Sequence, residues 1–341
     1  MSTATPRIVG IDIARGLAVL GMFIAHTYPQ VGQEELVVDG RSSILFATLA
    51  GVSLGLLTGG EHPESSSPAA ARRGVAIRAT FLFLLGVPLA LLPSHIAIIL
   101  DYYGIMFALM IPALFLPRVV LAGLAAFFAV AAPIAAAWVA AAGEQSGWTE
   151  VAVQYLLLGS YPTLVWLPFL LVGLLCTRSG LTRAVTQRWM VIGGVAAMVV
   201  GYGAAFALPS VSAEAHSGST AEVIGSGGFA IALVGVLLWT ARFRPSRLAL
   251  YPIAATGSMP LTIYTLQILL LTGCVVFSEA PWALDYPGLP LMVGLIVCSL
   301  AFSMVWLRFI GAGPLERLLR YLAGFDRTAV NGTRTTASRG R

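Results

Sequence analysis

Long apolar stretches separated by short polar connections run along nearly the whole chain. Each stretch holds roughly the 20 residues that a helix needs to cross about 30 Å of hydrocarbon. Strands of a membrane barrel would alternate polar and apolar residues, which these stretches do not, whereas a helix satisfies its backbone polar groups within one segment. The pattern predicts an all-α integral membrane protein, a polytopic bundle of about ten transmembrane helices. The predicted spans are 8–28, 41–59, 76–93, 96–116, 119–141, 160–177, 189–208, 223–240, 252–275 and 288–307.

The connections between these spans differ in charge. Arginines collect in every second connection, for example Arg72 and Arg73 after the second span and Arg183 after the sixth. The other connections hold the acids Glu34, Glu35, Asp39, Glu144, Glu150, Glu214, Glu222, Glu279 and Asp285. Because positive charge is retained on the cytoplasmic side, we predict that both termini are cytoplasmic and that the protein lies in the cell membrane. Arg41 is the exception, since this topology places it at the outer end of the second span.

Composition supports lipid as the solvent of most of the chain. Apolar residues make up 58% and charged residues only 10%, against about 25% charged in soluble domains. Residues 1–325 are predicted to form one transmembrane domain, and 326–341 a disordered basic cytoplasmic tail that touches anionic lipid. The net charge of +5 is accounted for by topology, so no nucleic-acid partner is expected. Three cysteines without paired spacing predict neither a disulfide framework nor a metal site.

The first span carries three ionisable residues. Asp12 and Arg15 are three residues apart, so they share a helix face and can pair. His26 lies eleven residues beyond Arg15 on nearly the same face, which is about 16 Å nearer the outside. Ionisable groups within a span are functional hypotheses by default. Asp12 and Arg15 are therefore either part of a donor channel or a structural ion pair, and His26 is either catalytic or interfacial.

Asp101 lies some two turns into the fourth span, at a depth comparable with His26. A carboxylate at that depth needs a partner, and Arg41 and His26 are the candidates on the same side. Beside the imidazole, Asp101 would orient a general base. The alternative is that Asp101 only neutralises Arg41 in a structural salt bridge.

Two weaker patterns remain. Polar-tipped residues within the spans can line a cavity or belong to the aromatic belt at the membrane surface; they are Tyr102, Tyr103, Tyr161, Trp166, Tyr264 and Gln267. Gly51, Gly55 and Gly59 recur every four residues along the second span and form a ridge almost without side chains. Such a ridge packs closely against another helix or forms a groove for a thin ligand such as an acyl chain.

The order of several motifs resembles known membrane families. Arg7-x4-Asp12-x2-Arg15-Gly16-x9-His26 resembles the first helix of membrane acyltransferases related to heparan-alpha-glucosaminide N-acetyltransferase. The spacing from Arg15 to His26 also resembles acyltransferase-3 type proteins, in which such a pair is tied to catalysis. Further matches resemble the YeiB-type family of unknown function; they are Gly40-Arg41-Ser42, Leu100-Asp101-Tyr102-Tyr103-Gly104, Ser160-Tyr161-Pro162-x3-Trp166, Gly257-Ser258-Met259-x2-Thr262 and Gly313-Pro314-Leu315-Glu316.

This resemblance implies an acyltransferase that uses acetyl-CoA or another acyl-CoA as co-substrate, with no tightly bound cofactor. The acceptor would be a small molecule, a glycan or a lipid at the outer face. His26 would act as general base or transient acyl carrier, Asp101 would orient it, and Arg41 would hold the carbonyl oxygen or an anionic acceptor group. The alternatives are a carrier or flippase for a small metabolite or lipid, and a non-catalytic partner of an envelope-synthesis enzyme. Assembly as a homodimer is left open.

Overall fold

A computed structural model of the chain describes residues 7–27, 40–94, 96–143, 145–277 and 288–324. Within these ranges the chain is helical, with no strand. The predicted tail 326–341 and six of the predicted outer acids (Glu34, Glu35, Asp39, Glu144, Glu279 and Asp285) lie outside the described residues. The α-helices are α1 (Val9–Thr27), α2 (Arg41–Leu57), α3 (Pro68–Ala90), α4 (Leu100–Met110), α5 (Arg118–Ala141), α6 (Gly147–Val153), α7 (Thr163–Arg178), α8 (Ala184–Ala207), α9 (Thr220–Thr240), α10 (Arg244–Ala249), α11 (Tyr251–Thr256), α12 (Pro260–Phe277), α13 (Gly288–Phe309) and α14 (Pro314–Leu322).

Among the described residues, seven helices are long and apolar enough to cross a membrane, namely α1, α3, α5, α8, α9, α12 and α13. An eighth span is obtained if α6, the π-helical turn Gln154–Leu158 and α7 count as one segment bent by 41°. The remaining apolar helices are shorter, with 17 residues in α2 and 11 in α4. The chain is therefore a multi-pass helical membrane protein.

Prolines account for two differences from the predicted spans. The span expected over 96–116 contains only the helix α4, and Pro112 stands two residues after its last residue, Met110. The span expected over 252–275 is divided into α11 and α12, with Pro260 as the first residue of α12. Because proline lacks the backbone N–H and restricts the residue before it, helices end or restart at these positions.

The core of the bundle is formed by α1, α2, α7 and α9. More than half of the residues of α1 and α9 are buried, whereas α8 and α13 are mostly exposed. α1 packs against α2, α9 and α11, while α5 covers α7 and α8 covers α9. Exposed apolar side chains such as Phe127, Trp189 and Val199 lie on the outer helices, where lipid rather than water is the expected neighbour.

Glycines allow the closest helix contacts. A Cβ atom on Gly51 of α2 would clash with the carbonyl oxygen of Leu170 on α7, and one on Gly173 of α7 would clash with that of Thr48. The ridge predicted along α2 is thus occupied at Gly51 by α7, and Gly55 meets Thr177 of α7. Gly59 does not continue the ridge, because it lies in the turn after α2 with a φ of 96°. Helix packing therefore explains the glycine pattern.

Candidate functional site

His26 lies in the last turn of α1 and is held by a buried amide from α12. Its Nδ1 atom is 3.1 Å from Nε2 of Gln267, a normal hydrogen-bond distance. Gln267 is 1% exposed, and its carbonyl oxygen is buried without a hydrogen-bond partner among the described residues. The two ends of a side-chain amide are distinguished only by such contacts, so the distance suits either tautomer of the ring. The pair fixes the position of the imidazole.

The orientation of α2 places Arg41 at the same end of the bundle as His26. Nη2 of Arg15, near the start of α1, donates a hydrogen bond of 2.7 Å to Oγ of Ser53, near the end of α2. The two helices are therefore antiparallel, and the start of α2 lies beside the end of α1. We call this the His26 end of the bundle, and the opposite one, with Arg15 and Ser53, the Arg15 end.

Arg41 is 3% exposed and connects α2 to the segment 208–219 between α8 and α9. Its guanidinium donates hydrogen bonds of 3.3 Å to the carbonyl oxygen of Ala213 and to the hydroxyl of Tyr202. It also lies over the Tyr202 ring, 5.4 Å from the centroid, where a cation–π attraction adds to the hydrogen bonds. These contacts make Arg41 an anchor for the segment 208–219.

Asp101 is 3% exposed and contacts a tyrosine that the sequence did not indicate. Its Oδ2 atom accepts a hydrogen bond of 2.9 Å from the hydroxyl of Tyr155, in the π-helical turn. Within the part of the chain that the structure describes, its Oδ1 atom is buried without a hydrogen-bond partner. Among the described residues neither Arg41 nor His26 contacts this carboxylate, so the predicted pairing is corrected. Tyr155 takes the place expected of Arg41, and Gln267 takes the place that Asp101 was expected to have beside His26.

Aromatic rings pack beside Asp101 at the His26 end. The Tyr102 ring centroid is 4.9 Å from that of Tyr155 and 5.8 Å from that of Tyr161. The Tyr161 and Trp166 rings meet edge to face at 5.1 Å. These separations are typical of favourable aromatic pairs. The predicted residues Tyr102, Tyr161 and Trp166 therefore come together, in a packed cluster.

The cluster is covered by the segment 208–219, which the sequence did not connect with it. The His216 ring lies 6.2 Å from that of Trp166, nearly parallel to it, and its Nδ1 atom is 3.3 Å from the carbonyl oxygen of Ser160. Glu222, 4% exposed, accepts hydrogen bonds from the backbone N–H groups of His216 (2.7 Å) and Gly218 (2.8 Å). A predicted loop acid is thus a buried anchor. Ser219, the N-cap of α9, accepts a hydrogen bond from the backbone N–H of Glu222 and is a local sequence signal for this arrangement.

Tyr264 and Gln267 connect the imidazole with the neighbourhood of Asp101. They are three residues apart on one face of α12, and the Tyr264 hydroxyl accepts a hydrogen bond of 3.4 Å from the backbone N–H of Ile99. Tyr103, also predicted, is fully buried with a hydroxyl that has no hydrogen-bond partner. All six residues predicted as cavity-lining therefore lie near His26 or Asp101.

At the Arg15 end, Asp12 pairs with two arginines. Nη1 of Arg15 is 3.3 Å from Oδ1 of Asp12, which is the predicted ion pair, and Nε of Arg7 contacts Oδ2. Asp12 is 6% exposed. A Cβ atom on Gly257, before α12, would clash with the carbonyl oxygen of Asp12. The turn between α11 and α12 therefore packs directly against the backbone of α1 at Asp12.

Two further charged residues at the Arg15 end, Arg178 and Glu316, hold segments of the chain together through hydrogen bonds. Arg178 is 5% exposed and donates hydrogen bonds to the carbonyl oxygens of Leu114 (2.8 Å) and Gly55 (3.3 Å). Glu316 of α14 accepts hydrogen bonds from the backbone N–H groups of Leu261 (2.8 Å) and Thr262 (3.1 Å) at the start of α12. The motifs around Thr262 and Glu316, which lie far apart in the sequence, therefore contact each other in the fold.

Metal-ligand clusters are not found in the described part of the chain, where no three His, Cys, Asp or Glu side chains come together. Residues 175–326 match a family model described as "Protein of unknown function (DUF418)", which is the YeiB-type family. The matched part starts at the end of α7, so it contains Gln267 and Glu316 but not His26, Arg41 or Asp101. No curated protein matches the chain.

Proposed function

We propose that this protein is a ten-span acyltransferase of the cell membrane with both termini in the cytoplasm. It would pass an acyl group, such as acetyl, from cytoplasmic acyl-CoA to an acceptor at the outer face. The observation that carries the proposal is the 3.1 Å contact between Nδ1 of His26 and Gln267. An imidazole held through one nitrogen presents the other, Nε2, in a defined direction, as a general base or nucleophile requires.

The reaction needs no reactant beyond the thioester and the acceptor. Nε2 of His26 takes the proton from a hydroxyl or amine of the acceptor while the oxygen or nitrogen attacks the thioester carbonyl. The carbon–sulfur bond then breaks, and the proton passes to the thiolate to give free coenzyme A. For Nε2 to be free as the base, Nδ1 must carry the proton of the neutral imidazole. The carbonyl oxygen of Gln267 would then accept a hydrogen bond from this Nδ1–H, an orientation of the amide that the 3.1 Å distance permits. In the variant mechanism Nε2 itself carries the acyl group for part of the cycle.

In this proposal the acceptor binds beside Asp101. Its buried Oδ1 atom has no hydrogen-bond partner among the described residues, and an unsatisfied carboxylate oxygen favours a ligand that brings a hydrogen-bond donor. Hydroxyl and amine groups of a glycan, lipid headgroup or small metabolite are such donors. Arg41 would act by holding the segment 208–219 in place, and Asp12 with Arg15 would border the donor channel at the Arg15 end.

A carrier for a small metabolite or lipid is the second candidate, and broken helices favour it. The segment from α6 to α7 is bent by 41° beside Asp101, and α11 and α12 are separated at Gly257 beside Asp12 and Arg15. Discontinuous helices next to buried charges are typical of substrate sites in transporters. In that function Asp101 would bind the substrate without bond cleavage.

Incubation of the purified protein with acetyl-CoA labelled in the acetyl group separates the two candidates. An acyltransferase is expected to release free coenzyme A or to retain label on the protein, and to do so faster when a membrane extract supplies acceptors. A carrier is expected to leave acetyl-CoA intact under every condition. Intact acetyl-CoA in the presence of the extract would contradict acyl transfer from this donor.

A further inference from the structure

A cleft, which we call the α5–α8 cleft, opens between α5 and α8 above a floor of α7 and α9. It consists of two adjoining cavities of about 440 and 270 Å³, which share Leu175 and Ile231. Neither the proposed acyl transfer nor any of its residues involves this cleft. Its lining is almost entirely apolar except at one end.

Much of the lining of the α5–α8 cleft consists of alanine and glycine, whose small side chains leave its space unfilled. Ala122, Ala125, Ala126 and Ala129 line it from α5, and their spacing of three and four residues places them on one helix face. Gly193 and Gly194 line it from α8. The alanines line the smaller cavity and the glycines the larger one, so few side chains obstruct the cleft, and a single unbranched hydrocarbon chain can fill it.

The polar end of the cleft is basic. Arg118, the first residue of α5, and Arg183, which precedes α8, both line the larger cavity. Arg183 pairs with Glu61, whereas Arg118 has no ion pair within the described ranges. One uncompensated positive charge therefore stands at the mouth, and arginine is the residue best suited to a phosphate group.

The length of the cleft corresponds to one leaflet of a bilayer. From Arg118 to Ala129 the helix rises by roughly 16 Å at 1.5 Å per residue, which is about half of the ~30 Å hydrocarbon thickness. Trp189, 67% exposed, lines the same basic end, as tryptophan does at the membrane surface.

We propose that the α5–α8 cleft binds an anionic phospholipid of the leaflet on the arginine side. The phosphate lies at Arg118 and Arg183, and one acyl chain lies along the alanine face of α5. This assignment is independent of whether the protein transfers acyl groups, since no catalytic candidate lines the cleft.

Native mass spectrometry of the full chain tests it with phosphatidylglycerol and phosphatidylcholine of identical acyl chains. The wild type is expected to retain one phosphatidylglycerol at concentrations where phosphatidylcholine is lost. Gly193→Leu should abolish this binding, because a Cβ atom there meets nothing within 4 Å and the side chain would fill the cleft. Gly203→Leu is the matched control, on the same helix, with equally open surroundings and outside the cleft lining; it should bind as the wild type does.

Arg118→Gln tests the headgroup separately from the chain. Arg118 is exposed, so its replacement leaves the fold intact, and loss of one charge-assisted hydrogen bond should weaken phosphatidylglycerol binding roughly tenfold. Phosphatidylcholine binding should weaken less, because its choline cation already offsets the charge of its phosphate. Equal affinity of the wild type for both lipids, or full phosphatidylglycerol binding by Gly193→Leu, would overturn the proposal.

Discussion

Gln267 places a buried amide beside His26, at a position where a leucine side chain would leave no polar atom unpaired. Whichever end of the amide faces His26, the other end is buried without a hydrogen-bond partner among the described residues, and such a group costs about 1–3 kcal/mol. The amide contributes its contact with His26 in return. A residue that lowers stability while it orients an imidazole is more consistent with a role in function than with a role in folding.

We expect Gln267→Leu to retain or raise the thermal stability of the protein in detergent and to lower acyl transfer by roughly 10²-fold. The loss follows because a misplacement of about 1 Å at a reacting group has an effect of that size. Gln187→Leu is the control, since Gln187 is also buried with an unbonded carbonyl oxygen but lies on α8 and contacts Leu181. If both variants lose activity equally, the amide of Gln267 has no specific role.

Asp101 and Tyr155 should be energetically coupled. Tyr155→Phe removes the only hydrogen bond that a described side chain gives to the Asp101 carboxylate, which should lower the free energy of unfolding by about 1–3 kcal/mol. In a protein that already carries Asp101→Asn, Tyr155→Phe should lower the free energy of unfolding by less. Thermal unfolding of the two single variants and the double variant measures this coupling, with exposed Tyr251→Phe as control. Additive losses would show that the bond contributes nothing.

At the scale of the elements, the breaks in helices carry the polar contacts. The π-helical turn Gln154–Leu158 presents Tyr155 to Asp101, and π-helical turns are frequent at functional sites. The turn between α11 and α12 lies beside the Asp12 backbone, and the start of α12 receives Glu316 from α14. Carboxylates at helix N-termini satisfy backbone N–H groups and interact favourably with the helix dipole.

Glu316→Ala should therefore destabilise the docking of α14 and the first turn of α12. The expected cost is about 1–2 kcal/mol, the size of a lost N-terminal cap. Hydrogen exchange of peptides that cover residues 260–264 and 314–322 measures it, and both should exchange faster than in the wild type. Glu150→Ala, an exposed acid in the first turn of α6, is the control. Unchanged exchange in both peptides would mean that α14 is held by its apolar contacts alone.

At the scale of the whole molecule, arginine asymmetry predicts which connections face the cytoplasm. Ser67 and Ser146 are exposed, precede α3 and α6, and make no side-chain cap contact. After replacement of Cys176, Cys274 and Cys298, a cysteine at position 146 should react with an impermeant maleimide from outside intact cells, and one at position 67 should not. Reaction at position 67 from outside would refute cytoplasmic termini.

The sequence predicts the helices better than it predicts their contacts. Hydropathy marks every long helix because lipid leaves no other way to satisfy the backbone, and the i,i+3 spacing predicts the Asp12–Arg15 pair. Pro112 and Pro260 indicate where α4 ends and where α12 begins. Hydropathy alone does not show these ends, because apolar residues continue on both sides of each proline.

Contacts between segments that are distant along the chain could not be predicted from the sequence. Asp101 was assigned to Arg41 or His26 because all three share one predicted depth, yet depth does not fix which helices are neighbours. Tyr155 lies in a segment too short to be predicted as a span, and Gln267 is a single amide in an apolar run. Their contacts depend on the packing of α6, α7 and α12, which single-chain periodicity does not contain.

Replacement of His26 tests the central claim most directly. His26→Ala removes the imidazole at the end of α1, and His62→Ala, with its exposed side chain, is the matched control. We expect His26→Ala to fold and insert in the membrane like the wild type but to lose roughly 10²–10⁴-fold in release of coenzyme A from acetyl-CoA, the scale of general-base catalysis. His62→Ala should retain wild-type turnover. A folded His26→Ala protein with wild-type turnover would contradict the assignment of His26 and, with it, the acyltransferase account.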